Sequence, residues 1–183
     1  FRLSKAVLQD LECQLLGTLL LMQFHVAALS RASMRPELRR PFHLVVDEFH
    51  TFANDSTPAL FREARKFGLG LTVATQSFSS LRHRRGGDLT NAVLANTATK
   101  VLFRLSPLDA KLVEEYAEPT FNVTDLTRTQ NYQAVVCMTA SDVPAFRMHA
   151  ALPDAFRGGL AVQDLRDRSG MQFATPLSDA NDF

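Results

Sequence analysis

The sequence has few cysteines and lacks the short motifs of several common enzyme classes. Cys13 and Cys137 are its only cysteines, and both lie in apolar segments without CxxC or Cys/His spacing. A disulfide framework and a zinc site therefore have no support, and this usage is typical of a reducing compartment. Neither HExxH nor GxSxG occurs. Metal binding through histidine and a serine-hydrolase site are thus not indicated.

The sequence also lacks GxxxxGK[ST], the glycine-rich loop that cradles nucleotide phosphates. The first residues carry charges where a signal peptide has its apolar core. Because the chain starts with Phe1 instead of Met, we expect further sequence upstream. The expected location is the cytoplasm, including the inner face of the membrane if upstream segments or partners hold the protein there.

Charge is almost balanced overall but divided along the chain. Residues 1–111 contain fifteen Lys and Arg against nine Asp and Glu, whereas residues 112–183 contain five against ten. Sixteen of the twenty cations are arginine, which makes planar, bidentate contacts with phosphate and carboxylate groups. The first part of the chain is therefore predicted to face an anionic partner.

Apolar periodicity predicts alternating helices and strands. One helix of about 25 residues is predicted from the stripe formed by Leu8, Leu11, Leu15, Leu19, Met22, Val26 and Leu29. This segment is free of charge over 13–30, yet its polar residues favour a buried helix over a membrane span. Strands are predicted at 42–46, 69–75, 99–105, 132–138 and 144–150, and the apolar run at 42–46 predicts a strand buried on both faces. Helices are predicted at 57–67, 88–95 and 107–117. Gly68 is expected to end the first of these helices, and Ser106, Pro107 and Asp109 form the start signal of the last one. This alternation predicts an α/β fold with a mostly parallel sheet flanked by helices.

Two adjacent carboxylates follow the first predicted strand. In LVVDEFH (44–50), Asp47 and Glu48 stand at the carboxyl end, where open α/β sheets bind ligands. Because side chains alternate along a strand, the two are expected to serve different partners. Asp47 suits a Mg²⁺ ion, directly or through water, and Glu48 suits a general base, which is the pattern of a Walker B element. The alternative is a pair of solvated carboxylates that cap a loop.

Three further features have both a functional and a structural interpretation. Gln76 ends the next strand and could contact the γ-phosphate and the attacking water, or be a solvated strand end. Arg65 could be an arginine finger that reaches a neighbouring subunit, or a cation favoured by the helix dipole. Arg104 lies in the pattern of the third strand, so it is either paired or turned toward the nucleotide edge.

The segment SSLRHRRGGD is a basic loop that follows Gln76. It carries Arg82, Arg84 and Arg85 beside a glycine pair. Such a loop is suited to tracking a phosphate backbone, which predicts DNA binding. A charged loop that is merely solvated is the alternative.

The segments VVDEFH, FREARKFGLGLTVATQS and ANTATKVLFRLSPLDAKLVEE resemble, in order and spacing, the C-terminal half of HerA/FtsK-type hexameric ATPases. The resemblance covers roughly residues 5–150 and favours the conjugative branch, the TraG/TraD-like coupling proteins of type IV secretion. It implies that residues 1–152 form the C-terminal half of a RecA-like P-loop NTPase domain without its Walker A loop. Residues 153–183 are predicted to be a weakly ordered tail with at most a short helix.

The resemblance further implies ATP hydrolysis between subunits of a hexameric ring that moves DNA through its pore, with relaxase or secretion-channel proteins as partners. By position it implies roles for four residues: Asp47 in binding Mg²⁺, Glu48 as the base, Gln76 as γ-phosphate sensor and Arg65 as the trans-acting arginine. Arg104 has a weaker match to a second arginine near ATP. The missing phosphate loop leaves two alternatives, a catalytically incomplete remnant for assembly or regulation and a generic α/β ligand-binding domain.

Overall fold

The computed structural model describes residues 3, 9–54, 57–81, 89–151 and 162–173. The chain divides into two compact units, Phe1–His149 and Ala150–Phe183. The first unit contains the helices α1 (Asp10–Leu29), α2 (Thr57–Glu63), α3 (Leu89–Asn96), α4 (Pro107–Ala117) and α5 (Val123–Thr127), and the strands β1 (Phe42–Val46), β2 (Leu69–Val73), β3 (Thr99–Leu102), β4 (Gln133–Met138) and β5 (Phe146–His149). The second unit contains α6 (Val162–Phe173). Weak order over 153–183 stays a prediction.

Strands β1 and β2 form a parallel pair, as the alternation of elements predicts. Their register runs from Phe42 opposite Leu69 to Val46 opposite Val73. The chain crosses between them through α2 and a 3₁₀ turn, Ala64–Phe67. Gly68 ends that turn in the left-handed region at φ 71°, which glycine adopts without a steric penalty. The predicted helix stop at this glycine is therefore confirmed.

Strands β3, β4 and β5 form a separate, antiparallel sheet, which the expectation of a mostly parallel sheet did not include. The physical reason lies in the connections. Only seven residues separate β4 from β5, and a link of that length joins antiparallel neighbours, whereas a parallel pair needs a longer crossover. The α/β class is confirmed, and the parallel arrangement among the described strands belongs to β1 and β2.

Helix α4 begins where its capping signal predicts. The Ser106 hydroxyl accepts a hydrogen bond from the Asp109 backbone N–H at 3.1 Å, and Pro107 occupies the first helical position. A serine cap satisfies a backbone donor that the first turn leaves without a helical partner. The inner face of this helix packs, through Ala110 and Val113, against a core shared with β4.

Helix α1 forms as predicted, but it buries a different face from the predicted stripe. Its buried residues are Cys13, Gly17, Leu21 and Ala28. The stripe residues Leu11, Leu15, Leu19, Met22, Val26 and Leu29 are 37–76% exposed, and Leu8 lies outside the described residues. Because the helix is apolar on every side, periodicity alone does not select the packed face. By length and composition α1 could also cross a membrane.

Gly17 explains which face of α1 packs inward. A Cβ atom at this position would overlap the Phe52 ring, so only glycine allows the helix to approach that ring so closely. The Thr18 hydroxyl donates a hydrogen bond to the Phe52 carbonyl at 3.2 Å and adds a polar contact beside the ring. Phe52 follows the turn after β1, so this approach joins α1 to the end of the strand.

Replacing Gly17 with Ala is expected to lower the free energy of unfolding by about 1–3 kcal/mol, because the Phe52 ring must move. Urea denaturation of the chain measures the change. Leu15→Ala, on the exposed face of the same helix, is the control and should change stability by less than about 0.5 kcal/mol. Equal losses in both variants would contradict the assignment of the packed face.

Strand β1 is less buried than its apolar sequence predicts. Leu44 and Val46 pack against the core, but Val45 is 68% exposed and Phe42 is 42% exposed. Phe42 stacks on Phe24 of α1 with ring centroids 5.7 Å apart. The prediction of a strand buried on both faces is therefore wrong for the part of the chain that the structure describes. Within that part, only one face of β1 is covered by core residues.

Candidate functional site

The candidate site lies at the carboxyl ends of β1 and β2, where the backbone continues the strand pairing. The Ala74 N–H donates to the Val46 carbonyl at 2.9 Å, and the Phe49 N–H donates to the Ala74 carbonyl at 2.9 Å. These two bonds hold the segment after β1 beside the segment after β2. Polar residues that are far apart in sequence are thus brought to one edge of the sheet.

Asp47 and Glu48 lie in a turn and not in the strand, so their orientations do not follow strand alternation. β1 ends at Val46, and Glu48 adopts the left-handed conformation with φ 48° and ψ 41°. The Asp47 carboxylate accepts a hydrogen bond from the Glu48 N–H at 2.9 Å and supports that conformation. A left-handed residue other than glycine costs roughly 1–3 kcal/mol, and such residues cluster at functional sites.

Glu48 and Gln76 are in direct contact across the ends of the two strands. The Gln76 side-chain amide donates to Glu48 Oε1 at 2.6 Å. Both side chains are partly open to solvent, as a site for a soluble ligand requires. The structure therefore brings together three residues singled out from sequence: Asp47, Glu48 and Gln76. Their chemical roles stay predictions.

His50 is a member of this cluster that the sequence analysis missed. Its Nδ1 atom lies 3.4 Å from Glu48 Oε2 and 3.3 Å from the Thr75 hydroxyl. The histidines of the sequence lack metal-ligand spacing, and no motif for another role includes His50. The available signal was position, because His50 is two residues after Glu48 in a turn that follows the acidic pair.

The loop after Gln76 is anchored to α4 through a buried carboxylate. The Ser77 hydroxyl donates to Asp109 Oδ2 at 3.1 Å, and Asp109 is only 4% exposed. Asp109 was identified from sequence as a carboxylate in the first turn of α4. The tertiary structure adds that it connects this helix to the Gln76 loop.

Arg65 lies at the opposite end of β2 from this cluster. It is an exposed residue of the 3₁₀ turn before the strand, whereas Glu48 and Gln76 lie beyond the strand's carboxyl end. Five strand residues span about 16 Å. Within one subunit Arg65 is therefore remote from Glu48. A role for Arg65 in a neighbouring subunit's site stays a prediction.

The described contacts of Arg104 do not include Asp47, Glu48 or Gln76. β3 ends at Leu102, so the prediction that Arg104 belongs to a strand is wrong. Its guanidinium donates to the Thr129 carbonyl at 2.8 Å and to Asn131 Oδ1 at 2.9 Å. These bonds hold the connection between α5 and β4.

The basic loop residues Arg82, Arg84 and Arg85 lie outside the described residues.

An open cleft of about 500 Å³ reaches the two carboxylates. Apolar residues of α1 and β1 line most of it, and Asp47, Glu48 and Thr51 lie in its lining. Among the described residues, no group of three or more His, Cys, Asp or Glu could hold a metal. A carboxylate pair still fits Mg²⁺, which keeps several waters and uses one or two carboxylates together with substrate phosphates.

Comparison with known proteins identifies one family and several similar structures. Residues 8–142 match the type IV secretion-system coupling protein DNA-binding domain. Similar structures include the conjugative coupling protein TrwBΔN70 at 18% identity and TM-score 0.58, covering 71% of this chain and 36% of that one. TrwB in complex with ADP and Mg²⁺ matches at 19% identity and TM-score 0.57, covering 71% and 35%. VirB4 of Thermoanaerobacter pseudethanolicus matches at 18% identity and TM-score 0.54, covering 82% and 40%.

These likenesses show that the chain has the α/β fold of RecA-like P-loop NTPases over the part compared. The chain spans about a third of the length of the TrwB chains it matches. No curated protein matches it significantly in sequence.

Proposed function

Because the chain belongs to the type IV secretion-system coupling protein DNA-binding domain family, we propose that it is part of an ATP-dependent translocase for conjugative DNA transfer. The observation that carries this proposal is the contact between Glu48 and Gln76 at 2.6 Å, at the carboxyl ends of two parallel strands. A carboxylate and an amide held together at that edge are the groups needed to activate and orient a water molecule.

The proposal gives each residue of the cluster one role. Asp47 would hold Mg²⁺ through its carboxylate, while Glu48 would take a proton from the attacking water. Gln76 would donate its amide hydrogen bonds toward the γ-phosphate and orient the water. Bound ATP and Mg²⁺ would supply the phosphoryl group and neutralise its charge. A solved structure of TrwB, which shares this fold, is a complex with ADP and Mg²⁺.

This chain would supply one side of the nucleotide site. The sequence contains no GxxxxGK[ST], so the phosphate-binding loop must come from sequence outside these 183 residues or from a partner. The remote position of Arg65 supports a site completed between subunits, as in a hexameric ring. The complete assembly, its ATP turnover and its relaxase or channel partners are parts of the proposal.

Asp47→Asn tests the metal-binding role in a protein that also carries the phosphate-binding loop. The half-maximal Mg²⁺ concentration for ATP hydrolysis should rise at least about 10-fold, because an amide is a weaker ligand than a carboxylate. The Asn oxygen can still accept the Glu48 N–H, so the turn should persist. Asp142→Asn, at an exposed site elsewhere, is the control. An unchanged Mg²⁺ requirement in Asp47→Asn would remove this residue from the metal site.

DNA binding is tested by replacing Arg82, Arg84 and Arg85 together with Ala. If these residues neutralise DNA phosphates, the binding constant of the variant should depend less on salt. The slope of log K against log salt concentration should become less negative by about 0.7–0.9 for each phosphate contact that is lost. Replacing three exposed arginines elsewhere, Arg35, Arg40 and Arg128, removes the same charge and is the matched control. Equal slopes for the two triple variants would exclude the loop from the DNA path.

A second candidate function is a non-enzymatic module that assembles with or regulates an intact ATPase. The absence of GxxxxGK[ST] from the sequence favours it. The two candidates differ in whether the gene encodes that loop upstream in the same reading frame. Sequencing upstream of the codon for Phe1 therefore distinguishes them.

A further inference from the structure

His50 is held on a rigid part of the candidate site. Its neighbour Phe49 is fully buried and packs edge to face against Phe61, with ring centroids 5.6 Å apart. The Phe49 N–H is also bonded to Ala74 after β2. Because residue 49 is fixed by both packing and hydrogen bonding, the backbone that carries the His50 ring has little freedom to move.

The contacts of His50 favour one position for the proton of its neutral ring. Nδ1 faces Glu48 Oε2 at 3.4 Å, and a carboxylate only accepts hydrogen bonds. Nδ1 also faces the Thr75 hydroxyl at 3.3 Å, and that hydroxyl donates its own hydrogen to the Ser77 carbonyl at 3.2 Å. With the Thr75 hydrogen on the Ser77 carbonyl, both neighbours of Nδ1 are acceptors, and this arrangement favours hydrogen on Nδ1.

Glu48 therefore has a neighbour at each of its carboxylate oxygens. Gln76 occupies Oε1 and His50 lies against Oε2. If the Gln76 amide turns away from Glu48, His50 still restrains the direction of the carboxylate. His50 also contacts Thr75, the residue immediately before Gln76, and so joins the base to the start of the sensor loop.

We propose that His50 is a positioning residue for ATP hydrolysis, which acts by donating its Nδ1 hydrogen between Glu48 and Thr75. This inference rests on the proposed function, because it assigns Glu48 as the base. His50 acts through Glu48 and needs no contact with nucleotide. A misplaced base loses much of its effect, because proton transfer demands a hydrogen-bond distance in a defined direction.

Nitrogen-15 NMR of the chain tests the tautomer without any nucleotide. Under conditions where the His50 ring is neutral, long-range proton–nitrogen correlations should show hydrogen on Nδ1. The His50→Asn spectrum assigns the signal by its disappearance. Hydrogen on Nε2 of the neutral ring would overturn the proposed contact.

Three variants test the positioning role in a protein that carries the phosphate-binding loop. The amide of Asn can occupy the place of Nδ1, whereas the longer Gln places its amide nearer to Nε2. We therefore expect kcat of His50→Asn to stay within about 3-fold of the unmodified value. In His50→Gln and His50→Phe, kcat should fall about 10-fold or more. The KM for ATP should change by less than about 2-fold in all three variants. Equal losses for Asn and Gln, or no loss for Phe, would overturn the inference.

Two further variants separate this inference from the proposed function. His43→Phe changes an exposed histidine of β1, whose Nε2 contacts Thr72 at 2.7 Å away from the cluster, and should leave kcat unchanged. If Glu48→Gln keeps full turnover, the proposed function fails and the His50 role fails with it. If Glu48→Gln is inactive but all His50 variants are fully active, only the His50 inference fails.

Discussion

Replacing Glu48 with Gln should reduce kcat for ATP hydrolysis about 100-fold or more, which is the usual contribution of a general base. Gln has nearly the same shape, and its carbonyl oxygen can still accept the hydrogen bond that Gln76 donates to Glu48. The substitution therefore removes the carboxylate that can accept a proton, while the hydrogen bond with Gln76 across the strand ends is kept. Binding of ATP should change by less than about 3-fold, because the loss is confined to the transition state.

The measurement is steady-state ATP turnover together with ATP binding, in a protein that carries the phosphate-binding loop. Glu37→Gln, in an exposed 3₁₀ turn before β1, is the control and should retain full turnover. Turnover in Glu48→Gln equal to that of the unmodified protein would remove Glu48 as the base. A parallel loss in turnover and folding would instead indicate that Glu48 is needed for structure.

Replacing Arg65 with Ala should reduce kcat about 1,000-fold, within the range observed for arginine fingers in phosphoryl transfer. The reason is positional as well as chemical. Arg65 is exposed at the amino end of β2, about 16 Å of strand away from the Gln76 end. A guanidinium in that place neutralises γ-phosphate charge only if it belongs to the adjacent subunit. Arg62→Ala changes an exposed arginine of α2, three residues before Arg65; it is the control and should have less than about a 3-fold effect.

Mixing two inactive variants tests whether Arg65 acts between subunits. An assembly of Glu48→Gln and Arg65→Ala subunits contains some interfaces where an intact Glu48 meets an intact Arg65. Such mixtures should regain measurable turnover that neither variant has alone, in proportion to the number of those interfaces. No recovery in mixed rings of verified composition would contradict a role in trans.

Local signals in the sequence were reliable where they depend on one or two turns of chain. The Ser106 and Pro107 signal placed the start of α4, and Gly68 placed the end of the preceding turn, because caps and left-handed residues are determined by short-range sterics and hydrogen bonds. The proximity of Glu48 and Gln76 could also be predicted from the sequence, because the carboxyl ends of neighbouring parallel strands lie at the same edge of a sheet.

Other features depended on contacts that periodicity does not encode. The apolar stripe of α1 is exposed, because Gly17 and the Phe52 ring select the opposite face. Arg104 was expected in a strand, but its guanidinium instead binds the connection before β4. His50 belongs to no searched motif. Its proximity to Glu48 results from the turn after β1, and its proximity to Thr75 results from the pairing of β1 with β2.

By itself, the sequence determined the α/β class, the family, the polarised charge and the residues at the two strand ends. These follow from composition, apolar patterning and short motifs, which are local properties of the chain. Only the tertiary structure decided which face of α1 packs, that Glu48 has both Gln76 and His50 as neighbours, and that Arg65 lies at the far end of β2. Those features arise from long-range packing and strand register, in which residues distant in sequence compete for the same neighbours.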